Sequence, residues 1–242
     1  MIYTMQLETP SYLCDRDDRL HPWAAVRLCQ EVTEYHGNAT GIGFKTLVAQ
    51  NRAWVITRAY YEVLRRPQAF ERIELSTWSR GHNGLIAWRD YSITGNGGEQ
   101  LLTGTSCWPM IDMTSRRVLR LNGVIEGYES HPQRATGRDD LRKIKMPAAF
   151  TPEASLTKHV DYSMLDHTRH VNNTEYIRLI FDLLHSLGFS FDAPFALEID
   201  YLGETRLGDT LTASAMREGD VWTAHVENQH GPSVNALVSP IK

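Results

Sequence analysis

Two side chains in the last third of the chain have the types and spacing for acid–base chemistry. In the run Leu165-Asp166-His167-Thr168-Arg169-His170-Val171-Asn172-Asn173-Thr174-Glu175-Tyr176-Ile177, a carboxylate and an imidazole stand just ahead of a stretch with helical apolar spacing. An imidazole exchanges protons near neutral pH, and a nearby carboxylate can orient it. The surrounding pattern has a counterpart 151 residues earlier: Asp166 falls on Asp15, Arg178 on Arg27, Leu179 on Leu28 and Asp182 on Glu31, whereas His170 falls on Arg19. One design is therefore written twice and equipped once. The second copy is expected to do chemistry, and the first to be scaffold and pocket.

Each copy must position these residues with a helix and a sheet. In the first, Pro22 opens a helix with Ala25, Leu28, Cys29 and Val32 on one stripe, and Gly37 is placed to stop it. Strand-like segments follow at 54–63, 73–78, 86–93 and 101–111, with Asn83-Gly84 as a hairpin turn and Gly95 to Gly98 as another. In the second copy, 173–187 places Ile177, Ile180, Phe181, Leu184 and Leu187 on one stripe. Glu175, Arg178, Asp182 and His185 lie opposite, and Gly188 ends the helix. Strands are expected at 195–202, 211–216, 221–228 and 234–240. The fold class is α+β, with repeats over 1–121 and 152–242 and a polar linker over 122–151 that includes a helical turn around 139–145. Two such sheets can pair edge to edge into one continuous sheet, which hides edges that invite aggregation.

Composition narrows the function. A net charge of -4 argues against general nucleic-acid binding, which wants a basic face. No run approaches the roughly 18 apolar residues of a membrane span, and the N-terminus lacks a charged segment leading into an apolar core. A cytoplasmic protein is expected. The three cysteines (Cys14, Cys29 and Cys107) form no CxxC pair, so neither a disulfide framework nor a zinc knuckle is indicated. His159, His167 and His170 match no standard metal spacing, and Ser106 lacks the Gly-x-Ser-x-Gly elbow of many serine hydrolases.

The string Leu165-Asp166-x-Thr168-x-His170-Val171-Asn172-Asn173-x-x-Tyr176-Ile177 closely resembles the motif of plant and bacterial acyl-acyl-carrier-protein thioesterases, which are tandem hot-dog proteins with a catalytic C-terminal copy. The resemblance extends to Trp54-Val55-Ile56-Thr57-Arg58, Trp108 and Thr114-Ser115-Arg116-Arg117, and so covers nearly the whole chain. It implies hydrolysis of fatty acyl-carrier thioesters by Asp166, Thr168, His170 and Glu204, with no cofactor and no metal. Two positions depart from the family: Thr168 stands where Asn is usual, and Thr205 where plant members have a Cys once proposed as nucleophile. No cysteine follows Cys107, which excludes a Cys-His mechanism in the second copy.

In such chemistry, His170 and Glu204 activate a water, and either can be the direct base. Asp166 fixes the imidazole tautomer. Backbone N–H groups of Val171, Asn172 and Asn173 at the helix N-terminus suit the oxyanion. Taken singly, Asp166 and Asn172 also read as a turn and an N-cap. The arginines, Arg65, Arg66, Arg116, Arg117 and Arg120 among them, read as a solvated face or as a landing patch for an acidic carrier protein. An acyl-CoA thioesterase and an inactive acyl-binding module remain alternatives, and a homodimer stays open.

Overall fold

The computed structural model describes residues 1–125, 129–138 and 141–241. The chain divides into two compact units, Met1–Leu141 and Arg142–Lys242.

The first unit begins with strand β1 (Tyr3–Glu8) and a 3-10 turn (Ser11–Leu13), followed by helices α1 (Pro22–Ala39) and α2 (Phe44–Ala49). Strands β2 (Arg52–Trp54), β3 (Arg58–Val63), β4 (Arg72–His82), β5 (Ile86–Thr94) and β6 (Gln100–Asp112) complete it. The strands pair antiparallel in the order β1-β4-β5-β6-β3, and β2 joins β6. The expected segment 54–63 is broken in two: Val55 and Thr57 bond Pro109 and Cys107 from outside the regular ladder. The β4–β5 turn is built by Asn83, whose side-chain oxygen accepts from the N–H groups of Leu85 and Ile86, with Gly84 at φ 95°.

Helix α1 runs past Gly37, and the left-handed turn that follows it is at Gly41. Gly37 serves close approach instead, since a Cβ there would meet the Gly43 backbone at 3.2 Å. Ala24, Ala25, Leu28, Cys29 and Val32 are buried, and the helix packs on β1 and β4. Each fully buried Leu or Val contributes roughly 1.5–3 kcal/mol.

The second unit repeats the plan. Strand β7 (Ala154–His159), a 3-10 turn (Tyr162–Met164) and helix α3 (Asn173–Ser186) lead into β8 (Phe195–Tyr201), β9 (Thr210–Glu218), β10 (Val221–Asn228) and β11 (Gly231–Pro240). The order β8-β11-β10-β9-β7 is antiparallel throughout and is the topology of the first unit. The 151-residue offset superposes β7 on β1, one 3-10 turn on the other, and the start of α3 on that of α1. Helix α3 is more deeply buried than its stripe implies. Thr174, Glu175, Tyr176, Leu179 and Leu183 are buried with the apolar stripe, so Glu175 is not on a solvent face. Gly188 at φ 86° ends the helix, with Phe189 N–H closing back on the Leu184 carbonyl. Phe181, Phe189, Phe191 and Phe195 form an aromatic cluster at that end, with centroids 4.7–5.9 Å apart.

The stretch 122–151 has no regular element among its described residues, but it is docked rather than loose. Trp78 donates to the Gln133 carbonyl, Ala135 N–H donates to Asp90 and Ile144 N–H donates to Asp200. Of the helical turn expected at 139–145, residues 139 and 140 lie outside the described residues, and 141–145 are irregular.

Candidate active site

The loop before α3 is a tight closure on Asp166. Its N–H donates to the His170 carbonyl, Arg169 N–H donates back to its carbonyl, and Leu165 bridges Val171. Arg169 takes the left-handed conformation that this closure needs, at φ 65°. The loop thereby aligns four polar side chains. Asp166 Oδ1 accepts from Thr168 N–H at 2.8 Å and from the Thr168 hydroxyl at 2.5 Å. Thr168 Oγ1 lies 3.1 Å from His170 Nδ1, and His170 Nε2 lies 3.3 Å from Glu204 Oε2. Side-chain exposure of 23% for His170 and 37% for Glu204 leaves the pair open to a substrate. Asp166, Thr168, His170 and Glu204 thus come together. Asp166 meets the imidazole through the threonine hydroxyl rather than directly.

Glu204 is held in place by its neighbour. Thr205 is fully buried, its hydroxyl bonded to Ser233 and to Asn228, and its carbonyl accepts Val171 N–H at 2.9 Å. Gly203 permits the approach, since a Cβ there would stand 2.8 Å from the Pro232 carbonyl oxygen. Thr205 therefore staples the strand end to the loop and to β10 and β11. Below it lies the Tyr176 phenol, which burial pushes up to about 12. The sequence motif contains Tyr176, but only the fold sets it under Glu204. Asn228 and Ser233 carried no signal.

The oxyanion assignment narrows. Val171 N–H is spent on Thr205, and Asn172 N–H on the Met164 carbonyl at 2.9 Å, so neither is available to a ligand. Asn172 is the N-cap, its side-chain oxygen accepting from Thr174 N–H at 2.9 Å and from the Thr174 hydroxyl. Among the described residues, the N–H of Asn173, the first helical residue, has no hydrogen-bond acceptor.

The first unit has the same loop with different side chains at the polar positions. Cys14 bridges Leu20, Asp15 N–H donates to Arg19, and Asp18 at φ 56° takes the place of Arg169. Leu20 N–H donates to Pro67 as Val171 does to Thr205, which puts Arg66 where the second unit has Glu204. Arg66 is buried and bonds Asp15. Although burial opposes ionisation, Arg66 and the N–H groups of Arg19 and Asp17 hold the Asp15 carboxyl below its usual range. Pro22, which has no N–H, stands at the position of Asn173.

Two of the arginines expected at a docking patch are engaged within the unit. Arg66 is buried in that ion pair. Arg65 is committed to Glu71 and Glu99, at 2.7 and 2.6 Å. Arg116, Arg117 and Arg120 are exposed. No cluster of three or more His, Cys, Asp or Glu among the described residues is placed to hold a metal, and no described helix is long and apolar enough to cross a membrane.

A helix on a five-stranded antiparallel sheet, built twice in one chain, is the tandem hot-dog architecture. The family model for the acyl-ACP thioesterase N-terminal domain matches residues 1–127, and that for the C-terminal domain matches residues 150–238. The chain belongs to the acyl-ACP thioesterase family. It is 24% identical over 254 residues to a chloroplastic palmitoyl-acyl carrier protein thioesterase of Gossypium hirsutum, covering 93% of this chain and 60% of that protein. The chain thus spans well under two thirds of that relative's length. Among solved structures, an acyl-ACP thioesterase from Bacteroides thetaiotaomicron superposes with a TM-score of 0.84 at 23% identity, covering 98% of this chain and 97% of that one. A 12:0-ACP thioesterase from Umbellularia californica gives 0.85 at 19% identity, covering 98% and 96%. These two likenesses establish the fold.

Proposed function

We propose that this chain hydrolyses fatty acyl-acyl-carrier protein to free fatty acid and carrier thiol, and that the second repeat alone does so. The observation that carries this reading is the line Asp166–Thr168–His170–Glu204 beside the open Asn173 N–H, a set that the first repeat lacks at every position but the aspartate. A water between substrate and the His170–Glu204 pair gives up a proton to the pair and attacks the thioester carbonyl carbon. The oxyanion that forms accepts from Asn173 N–H. The C–S bond then breaks, and the captured proton leaves with the thiol. A covalent route through residue 205 is disfavoured, because the Thr205 hydroxyl is buried and held by Ser233 and Asn228.

The first repeat serves as scaffold and acyl pocket in this reading. Arg116, Arg117 and Arg120 form the landing patch for the acidic carrier, an interaction that salt weakens. Arg116→Glu with Arg117→Glu raises KM for acyl-carrier substrate and leaves a short synthetic thioester nearly untouched; an unchanged KM puts the patch elsewhere.

The deciding experiment is parallel assay on acyl-carrier protein and on acyl-CoA with the wild type, His170→Ala and His21→Ala. Release of fatty acid from the carrier, lost in His170→Ala and kept in His21→Ala, is the expected result. Preference for CoA would reassign the substrate, and no release from either would leave a binding module. Equal loss in both variants would sink the one-site reading.

A further inference from the structure

We infer that the Thr168 hydroxyl is a positioning group that dictates which nitrogen of His170 carries the proton. The inference deepens the hydrolase reading and rests on it for its catalytic consequence, though not for its structural claim. A threonine hydroxyl has one proton to give and can accept on its lone pairs, whereas an ionised carboxylate only accepts. Thr168 Oγ1 lies 2.5 Å from Asp166 Oδ1, which also accepts the Thr168 N–H. Two bare oxygens do not approach so closely, so the hydroxyl proton lies on the Asp166 side. His170 Nδ1, at 3.1 Å from the same oxygen, must then be the donor.

A neutral imidazole has one N–H. With Nδ1 protonated, Nε2 carries the lone pair, and Nε2 is the nitrogen 3.3 Å from Glu204 Oε2. That separation is too short for an intervening water. In the reactive state a nitrogen lone pair and a carboxylate oxygen therefore face each other, and a proton arriving from the attacking water closes an N–H···O bond between them. Without the hydroxyl, the neutral ring gains more from the opposite tautomer, with Nε2–H donating to Glu204. The basic nitrogen would then point at residue 168, away from the substrate. Thr168 does with one atom what a carboxamide does with two. An asparagine there can donate to Asp166 through its amide nitrogen and accept from Nδ1–H through its oxygen, so both residue types enforce one tautomer.

The test is ¹⁵N NMR of the full-length protein labelled at histidine, with the His170 signals assigned by their absence in His170→Gln. Wild type should show a proton on Nδ1, with Nε2 bare in the neutral form. Thr168→Val should move the proton of the neutral ring to Nε2 and lower kcat on the order of 10²-fold or more, within the range of acid–base contributions, with KM little changed. Thr168→Ser and Thr168→Asn should restore both the signal pattern and the rate. A neutral wild-type ring protonated on Nε2 overturns the inference, as does a Thr168→Val protein with wild-type tautomer and rate. Absence of thioesterase activity in a wild type whose ring is protonated on Nδ1 would defeat the functional reading and leave this inference standing.

Discussion

Glu204 and His170 meet at 3.3 Å from opposite directions, one on the strand end after β8 and the other on the loop before α3. In the proposed reaction the two hold one proton between them, so removing the carboxylate's basicity should be nearly as damaging as removing the ring. Glu204→Gln keeps shape and hydrogen-bonding reach but is a poor base. It should lower kcat by on the order of 10²-fold or more while the melting temperature stays close to wild type. A Glu204→Gln enzyme with near-normal turnover would show that His170 works alone. The cysteines should not enter: burial pushes the Cys29 thiol well up, and burial with the charges of Asp15 and Asp18 raises Cys14.

At the scale of elements, the start of α3 joins architecture to chemistry. Asn172 sits at φ -59° and ψ 138°, almost the values of His21 before Pro22 in the first repeat, so the backbone already suits a following proline. Asn173→Pro should therefore fold, since proline is welcome at the first helical position, yet it deletes the open Asn173 N–H. The expected cost is roughly 10²–10³-fold in kcat, as for loss of an oxyanion donor elsewhere. A folded Asn173→Pro protein with wild-type kcat would remove that N–H from the mechanism.

Helices α1 and α3 and the meanders were legible because their periodicities are strong and their turns carry glycine and asparagine, whereas the six-residue α2 was too short to show a period. Strands β1 and β7 were not legible either. Strand β1 does alternate Tyr3, Met5 and Leu7 with polar residues, but it is a single six-residue run with none of its residues fully buried. Strand β7 is exposed over Ser155 to His159, so neither edge strand stands out as an apolar segment. The four side chains of the candidate site were legible in the sequence, and they stand together in the fold. The consumption of the Val171 and Asn172 N–H groups was invisible, because their acceptors, Thr205 and Met164, are set by the tertiary fold. The burial of Arg66 was hidden for the same reason: its partner Asp15 lies far away in sequence.

At the scale of the whole chain, stability should carry a pH signature seated in the first unit. His36 on α1 is buried, and its Nδ1 accepts from Arg89 at 2.9 Å. Burial, and then the Arg89 charge, push it down from 6.5 to about 4. As pH falls through 6.5 the unfolded chain takes a proton that the folded chain refuses until about 4. Stability should therefore fall across that window, by at most ~3 kcal/mol from this group. His36→Asn, whose carboxamide oxygen can still accept from Arg89, should flatten that part of the denaturation profile. Wild type and variant with parallel profiles between pH 6.5 and 4 would exclude His36 as the cause.

The first repeat's helix opens on an imino acid, and this makes its silence hard to reverse. Replacing Arg19 can return an imidazole and replacing Arg66 can return a carboxylate, but no side chain returns a backbone hydrogen at Pro22. Changing Arg66 alone strands a charge: losing it leaves the Asp15 carboxylate without its guanidinium, and a glutamate at 66 sets two anions together. A path that makes the first loop match the second descends through less stable intermediates. The asymmetry behaves as a ratchet.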